Sequence, residues 1–597
     1  MFNDSDLKLF EEGRLADAVS RLGAHPATGA DGASGVHFAV WEPAAGQVFV
    51  SGGFNGWEKP GIALTAAGAG LWEAFVPGAG PGTPYKYEVT SNRGRLRVDK
   101  PDPLTFEAEA EPGTASLVAG YDHEWNDSKW MEGREGRNGL GGPIAIYQVH
   151  GPSWRRVPED GNRPLGYREL APRLADHAAS LGFTHVELLS VMEAAWFGSA
   201  ASRQSGPFAP DRRYGAPPDF MYLVDYLHQR GIGVVLEWRP PQVSVGDGPR
   251  DGWNLFVGAA LLWLERYHVD ALRITNLETW LYKQSAAPGF SPRSHAGGEN
   301  VEAIPLLRRL NEEAYGRHPG IQMMAEEYCA WPMVSRPTYL GGLGFGLKWD
   351  DGWARDTLEY MSLDPIFRKY RHDRLCYRMS YAFTENFVLA LPHTVTAGGQ
   401  PSLLARMPGD EWQKFANLRL LFGYMYGLPG KKLAFMGGEF GQWRGWDETP
   451  SLDWHLAGEG YHAGVQNWLG ALNRAYRANP ALHQLDSEAG GFEWVDYQDV
   501  EQSILCFLRK GRGPARPVLV VCNFTPMPRT NYRVGVPGGG AWREVLNSDA
   551  REHGGAGWGN FGGLEAAPIP AHGRPFSLNL TLPPLGAIFL ESEEELR

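Results

Sequence analysis

The stretch PDFMYLVDYLHQRGIGVVLEW (218–238) joins a helical pattern to a short strand pattern, and repetition of this unit decides the fold. Its first part, Pro218–Arg230, spaces apolar residues as a helix does, whereas Gly233–Trp238 is an apolar run of strand length. The same pairing recurs on both sides, with helical stretches between most strand candidates. The seven further strand candidates are Ala145–His150, His185–Ser190, Ala271–Thr275, Gln322–Glu327, Phe345–Asp350, Phe387–His393 and Lys432–Glu439. Eight β/α units in about 300 residues predict a (β/α)8 barrel.

Both flanks of this region have the pattern of β-structure. From 32 to 118 and from 490 to 592, apolar and polar residues alternate between Gly, Pro and Asn turns, which is typical of antiparallel sandwiches. The prediction is a multidomain α/β chain in which a central TIM barrel lies between two β-sandwiches. A doubly wound open sheet is the alternative, but no glycine-rich phosphate turn follows a strand. The expected boundaries are 1–30 for an N-terminal helical segment, 31–120 for the first sandwich, 121–142 for a linker, 143–485 for the barrel and 486–597 for the C-terminal all-β domain.

Composition excludes several classes of function. The 597 residues include 56 basic and 69 acidic side chains, a formal net charge of −13, which argues against nucleic-acid or anionic-membrane partners. The 4 cysteines lie far apart without a CxxC or Cys/His pairing, so a disulfide framework and a zinc site are not expected. The longest apolar run, Leu255–Leu264, is too short to span a bilayer. A cytoplasmic location without metal or cofactor is therefore expected.

Candidate functional side chains lie where the predicted strands end, because barrel sites form at the carboxyl ends of the strands. Strand three ends with Glu237, strand four with Arg273 and Thr275, strand five with Glu326 and Glu327, and strand seven with His393 and Thr394. Neighbouring strand residues point to opposite faces, so one of the two adjacent glutamates is expected to face the pocket. The alternative is that most of these groups are polar loop residues or form structural ion pairs.

Long motifs outside the strand ends carry a family resemblance. FNGW (54–57) with YKYEV (85–89) is similar to a starch-binding N-terminal sandwich of the CBM48 type. RPTYLGGLGFGLKW (336–349), MPGDEWQKFANLRLL (407–421) and FMGGEFGQWRGWDETPSLDW (435–454) are similar to the scaffold of branching enzymes. The chain thus resembles the glycogen (1,4-α-glucan) branching enzyme family of the α-amylase clan, glycoside hydrolase family 13, over nearly its whole length.

The resemblance implies roles for the strand ends, and two of the expected catalytic residues are substituted. MMAEEY (323–328) places Glu326 at the acid/base position. DALRIT (270–275) retains Arg273 but places Thr275 where the family has its aspartate nucleophile. PHTVT (392–396) retains His393 but places Thr394 where the family has the aspartate that orients the sugar in the transition state.

Further positions of the implied substrate site also depart from the family. EWRPPQ (237–242) places Glu237 and Gln242 at the usual Asp and His positions, and AASR (200–203) places Ser202 where a tyrosine would stack on the sugar. The connection from Glu237 to Asp270 is short for a family whose strand-three loop helps to wall the glucan cleft. In the N-terminal sandwich, Trp57 lies in an Asn-Gly turn and is the expected exposed sugar-stacking residue.

Three functions remain open at the level of sequence. The first is a catalytically inactive homologue that binds α-glucan such as glycogen, amylopectin or maltooligosaccharide, or an active enzyme of glycogen metabolism, as a regulator or scaffold. The second is a working branching enzyme, forming α-1,6 branches on α-1,4-glucan, with an atypical site. The third is a barrel with different chemistry that uses Glu237, Glu326 and His393. The first is preferred because retaining transfer needs two carboxyl groups about 5 Å apart.

Overall fold

Residues 2–91, 97–110, 112–189, 191–196, 203–243, 250–283 and 298–593 are described by a computed structural model of the chain. Eight parallel strands close into a barrel, with antiparallel sheets on its N-terminal and C-terminal sides. The predicted TIM barrel between two β-domains is confirmed. Among the described helices, none combines the length and the apolar character needed to cross a membrane.

The N-terminal domain begins earlier than the sequence pattern indicated. Its elements are α1 (Asp4–Glu11), α2 (Ala18–Arg21), β1 (Gly23–Thr28), β2 (Ser34–Trp41), β3 (Ala45–Gly52), β4 (Ile62–Ala63), β5 (Thr65–Gly68), β6 (Leu71–Pro77), β7 (Pro84–Ser91), β8 (Arg97–Lys100) and β9 (Ser116–Leu117). One sheet has the order β1-β2-β6-β5, and the other has the order β4-β3-β7-β8, with β9 also paired to β7. Strand β1 lies inside segment 1–30, which was expected to be helical. It was not predicted because its GAHPAT sequence lacks the apolar alternation that indicates a strand.

The barrel contains the eight predicted strands, most of them shortened by one or more residues. The elements from the first sandwich to the end of the barrel are α3 (Ser128–Asn138), β10 (Ala145–His150), α4 (Gly151–Trp154), β11 (Arg156–Val157), β12 (Arg163–Pro164), α5 (Tyr167–Ser180), β13 (His185–Leu189), β14 (Met192–Trp196), β15 (Arg203–Pro210), α6 (Pro217–Gln229), β16 (Gly233–Trp238), α7 (Gly252–Glu265), β17 (Ala271–Ile274), α8 (Glu278–Leu281), α9 (Ala303–Arg317), β18 (Gln322–Ala325), β19 (Leu347–Trp349), α10 (Asp351–Met361), α11 (Pro365–Arg368), α12 (Asp373–Cys376), β20 (Phe387–Leu391), α13 (Leu403–Arg406), α14 (Glu411–Gly427), β21 (Lys431–Phe435) and α15 (Gly460–Ala478). The closed order is β10-β13-β16-β17-β18-β19-β20-β21.

The inside of the barrel changes from apolar to polar along the strands. Ile146, Val235, Ala271 and Met324 belong to one buried apolar cluster within it. Side chains two positions further along a strand share the same face. Those positions are occupied by Gln148, Glu237, Arg273 and Glu326. The strand period therefore places a polar layer directly on top of the apolar layer.

The segment 121–142, expected to be a linker, contains helix α3 and closes the opposite end of the barrel. Trp130 of α3 donates a 2.9 Å hydrogen bond from Nε1 to Asp270 Oδ1, just before β17. Asn138 donates a 2.8 Å bond from Nδ2 to the carbonyl of Gly320, just before β18. The polar SKWMEGREGRN sequence of α3 does not predict that this helix packs on the barrel, because the contacts are made by a few buried side chains rather than by an apolar stripe.

The C-terminal domain is antiparallel and docks on the barrel through buried arginines. Its strands are β22 (Phe492–Asp496), β23 (Ile504–Arg509), β24 (Val518–Asn523), β25 (Arg529–Val536), β26 (Gly540–Asn547), β27 (Gly563–Ala566), β28 (Phe576–Leu582) and β29 (Gly586–Ser592). Fully buried Arg368 donates from Nη1 to the Phe524 carbonyl at 2.9 Å, and fully buried Arg509 donates from Nη1 to the Gly427 carbonyl at 2.9 Å. Each guanidinium thus crosses the domain boundary.

Candidate functional site

Arg273 is the centre of the polar layer at the carboxyl ends of the strands. Its guanidinium is fully buried and forms ion pairs through Nε with Glu187 and through Nη1 with Glu326. Its Nη2 lies 3.8 Å from Glu237 Oε1, and the guanidinium carbon lies 4.2 Å from the centre of the Trp349 ring. Burial lowers the pKa of Arg273, but its ion pairs outweigh this and raise it, so the cation is permanent. Three acidic side chains are therefore held by one cation.

Glu326 faces this layer, and its neighbour Glu327 does not. Glu327 forms a 2.5 Å ion pair with Lys348 Nζ and accepts a hydrogen bond from the Cys329 amide. Glu326 accepts from Arg273 on Oε2 and from the Tyr328 hydroxyl on Oε1. The expectation that one of the two glutamates faces the pocket is thus realised, with both oxygens of Glu326 already engaged.

The two threonines lie beside Glu326 around one cavity. Thr275 follows β17, where the Glu326 amide donates a 3.0 Å bond to the carbonyl of Ile274, so the two segments are adjacent. Thr394 follows β20 and is exposed. Both threonines line the same cavity as Glu237 and Glu326. The structure therefore brings the substituted positions together with the carboxylates, and neither hydroxyl adds a charge.

His393 lines the cavity as a neutral ring. Burial lowers its pKa to about 4, despite the opposing charge of Glu237. Its backbone amide donates a 2.8 Å bond to Gln148 Oε1, which fixes the start of the loop after β20. At neutral pH the imidazole can exchange hydrogen bonds with a ligand but supplies no positive charge.

The cavity is large and is shared by two domains. It has a volume of 1430 Å³, above the roughly 300–1,000 Å³ of pockets for small drug-like ligands. Its barrel wall includes Arg239, Asp251, Thr279, Trp280 and Tyr328. Its other wall comes from the first sandwich and the following segment, namely Trp41, Pro43, Lys100, Pro101, Pro103, Leu104 and Thr105. The cavity is therefore bounded by residues of the barrel and of the first sandwich together.

Of the three remaining predicted site residues, Gln242, Ser202 and Trp57, the structure places one at the cavity. Gln242 is exposed and lines the cavity after β16. Ser202 lies outside the described residues. Trp57 is 40% exposed on the first sandwich, with a left-handed φ of 62°, and does not belong to the cavity wall. Tyr85 and Tyr87 of the YKYEV motif are buried in the core of the same sandwich.

Glu187, Tyr328 and the sandwich wall of the cavity were not predicted from the sequence pattern. Glu187 could have been found as the lone charge inside the apolar strand HVELL, since a buried charge requires a partner. Tyr328 and Lys100 gave no comparable signal, because their places at the cavity depend on how separate elements pack.

The surroundings of Glu278, a further acidic side chain near the site, disfavour its ionised form. Burial raises the pKa of Glu278 to about 7, helped by the charges of Glu327 and Glu326. Its Oε2 atom is buried and has no hydrogen-bond partner among the described residues. The ionised form is therefore costly in the folded chain.

Glu278→Gln is expected to stabilise the protein at pH 8 and to have little effect near pH 4. The folded pKa lies above the unfolded one, so the wild type loses stability as pH rises from the unfolded pKa through the folded pKa of about 7. Partial exposure limits the gain to about 1–2 kcal/mol. Urea unfolding at both pH values measures it, with Glu312→Gln on the exposed side of α9 as control. Equal gains at both pH values would contradict the assignment.

Both β-domains match known domain families, and the whole fold matches solved structures. The model of carbohydrate-binding module 48, described as the isoamylase N-terminal domain, matches residues 21–104, and that of the α-amylase C-terminal all-beta domain matches residues 494–593. A putative alpha amylase structure from Salmonella typhimurium aligns with a TM-score of 0.65 at 15% identity, covering 96% of this chain and 99% of that one. A pullulanase structure from Bacillus acidopullulyticus aligns at 0.69 and 14%, covering 97% and 76%. These matches show that the chain has an α-amylase-like fold with the same order of domains.

Sequence relatives narrow the class to one family. The chain is 48% identical to the 1,4-alpha-glucan branching enzyme GlgB of Aquifex aeolicus, over 99% of both chains. It is 50% identical to that of Rubrobacter xylanophilus, over 99% of this chain and 86% of the relative. The chain belongs to the 1,4-α-glucan branching enzyme family. The resemblance inferred from the sequence motifs is confirmed.

Proposed function

We propose that this chain binds 1,4-α-glucan in the cavity between the barrel and the first sandwich and does not transfer it. Glucan as ligand is supported by family membership, by the CBM48 match and by a cavity of 1430 Å³ whose walls combine aromatic and polar side chains. A long polymer suits a cleft shared by two domains. Trp57 is proposed as an additional contact on the sandwich, since its exposed ring can stack on a sugar.

The observation that carries the absence of transfer is the threonine at position 275, where the family resemblance implies the nucleophile. Retaining transfer needs a carboxylate nucleophile beside the acid/base carboxyl. Glu326 is present for the second role, and its oxygens accept hydrogen bonds from Arg273 and Tyr328. The proposed nucleophile position holds Thr275, for which no adjacent base is found among its described hydrogen bonds. The site thus has groups that bind and orient hydroxyls but lacks a matched acid and nucleophile.

A branching enzyme with an atypical site is the second candidate. The comparisons by themselves favour it, because relatives 46–50% identical over 99% of this chain carry the branching-enzyme name. Glu237 and Glu326 also face one cavity and share the Arg273 cation. A transfer assay decides between the two candidates. A regulatory or scaffolding role follows from the first.

Glucan binding in the cleft is tested by filling it. Thr279 is exposed and lines the cavity, so Thr279→Trp is expected to raise the Kd for maltoheptaose by about tenfold or more, corresponding to ~1.4 kcal/mol. Isothermal titration calorimetry measures the change. Thr530→Trp, on an exposed position of β25 outside the cavity, is the matched control. Unchanged affinity in Thr279→Trp would place the ligand elsewhere.

A further inference from the structure

Two large aromatic rings are displayed on one loop of the C-terminal domain, far along the chain from every cavity-lining residue. The loop 554–563 carries Trp558, which is 41% exposed, and Phe561, which is fully exposed. Six of the ten residues of this loop are glycines, and three of them directly flank Trp558 and Phe561. Two exposed aromatic rings within three positions of each other offer an apolar surface to a ligand.

Buried polar side chains hold this loop in place. The Asp549 carboxylate accepts 3.0 Å hydrogen bonds from the amides of Ala556 and Trp558. Asn560, which is buried, donates a 2.6 Å bond to Glu544 Oε2 and accepts a 2.8 Å bond from the Thr581 amide. Both rings are thus attached to a fixed backbone, and pre-organisation of this kind lowers the entropy cost of binding.

Phe561 has an unfavourable backbone conformation, and burial of its ring does not offset the cost. Its φ is 52°, in the left-handed region that costs a bulky side chain about 1–2 kcal/mol. The ring makes no compensating burial, because it is fully exposed. Strain of this kind in a loop that is otherwise well bonded points to a function for the displayed side chain.

We propose that Trp558 and Phe561 form a second glucan-binding site, which holds a strand of the polymer outside the cleft. This inference rests on the proposed function for the identity of the ligand. Two rings offer about 150–250 Å² each, well below the ~1,000 Å² that a stable protein interface requires. A flat, uncharged ligand suits them, and a pyranose ring has apolar faces that stack on aromatic rings.

A second site changes binding of polymer and oligosaccharide in different ways. One glucan polymer can occupy the cleft and the loop together, and linkage then raises affinity without any new contact. A short oligosaccharide occupies each site separately. The double variant Trp558→Ala/Phe561→Ala is therefore expected to weaken retention on amylopectin affinity gels about tenfold, while cleft binding of maltoheptaose stays unchanged.

The experiment compares four proteins on amylopectin gels and by calorimetry with maltoheptaose. In calorimetry the loop variant should titrate one maltoheptaose site fewer than wild type, whereas Thr279→Trp should weaken the cleft site and keep the loop site. Tyr339→Ala removes a ring that is 84% exposed elsewhere and should behave as wild type. Hydrogen exchange of wild type should also show protection of 554–563 by maltoheptaose, which needs no variant.

Equal amylopectin retention by the loop variant and wild type, or no protection of 554–563, would overturn the second site. That result leaves the cleft proposal intact if Thr279→Trp still loses its site. If wild type bound maltoheptaose at the loop but not in the cleft, the proposed function would be overturned and the loop site would stand.

Discussion

Amylose incubated with the purified protein is expected to keep its iodine-complex spectrum and to gain no α-1,6 ends. Retaining transfer needs a nucleophile and an acid/base carboxyl about 5 Å apart. Thr275 and Thr394 are uncharged, so Glu326 has no carboxylate partner at the position where the family resemblance implies the nucleophile. Loss of a nucleophile lowers turnover by about 10⁴-fold or more, so the rate should lie below detection.

A positive control and an inactive variant make this assay decisive. The Aquifex aeolicus relative, run in parallel, shows that the conditions support branching. A spectral shift produced by this chain and abolished by Glu326→Gln would establish transfer and favour the second candidate function. If Glu237→Gln also abolished it, Glu237 would be required for transfer, and a covalent glycosyl intermediate trapped on Glu237 would identify it as the nucleophile.

Arg273→Met is expected to destabilise the fold by about 3–5 kcal/mol at neutral pH, because removing one member of a buried ion-pair network strands its partners. Glu187, Glu237 and Glu326 share this cation, and their side chains are at most 7% exposed. Burial already raises the pKa of Glu187 above its usual value, although Arg273 opposes this shift. Urea unfolding followed by circular dichroism measures the loss.

The same variant should recover part of its stability as pH falls. Without Arg273, burial raises the folded pKa of Glu187 further above its unfolded value, so the cost is present at neutral pH and declines as the carboxyl is protonated. Arg239→Met is the matched control: Arg239 is 53% exposed, lies 3.5 Å from Glu237, and should cost under about 1 kcal/mol. Equal stability of both variants at neutral pH would show that the network contributes little.

Much of the barrel follows from local pattern. All eight strands form where apolar runs of strand length alternate with helical spacing, since each barrel strand is buried on both faces. Period-two geometry also predicts that Glu326 and Glu327 diverge, and they do. Strand β1 escaped prediction because its GAHPAT sequence lacks apolar alternation and the strand is held by pairing with the next strand, β2. Helix α3 escaped prediction because a few long-range side-chain contacts stabilise it rather than its own periodicity.

The sequence by itself determined the barrel, the family and the identity of the side chains at the strand ends, including both threonines. These properties depend on local spacing and on which residue occupies a position. Only the tertiary structure decided that Glu187 pairs with Arg273, that Tyr328 engages Glu326, and that the first sandwich supplies a wall of the cavity. The physical reason is that the Arg273–Glu187 pair and the cavity wall join residues far apart in the chain, whereas the Tyr328 contact depends on side-chain orientation. Their geometry is therefore set by packing and not by sequence pattern.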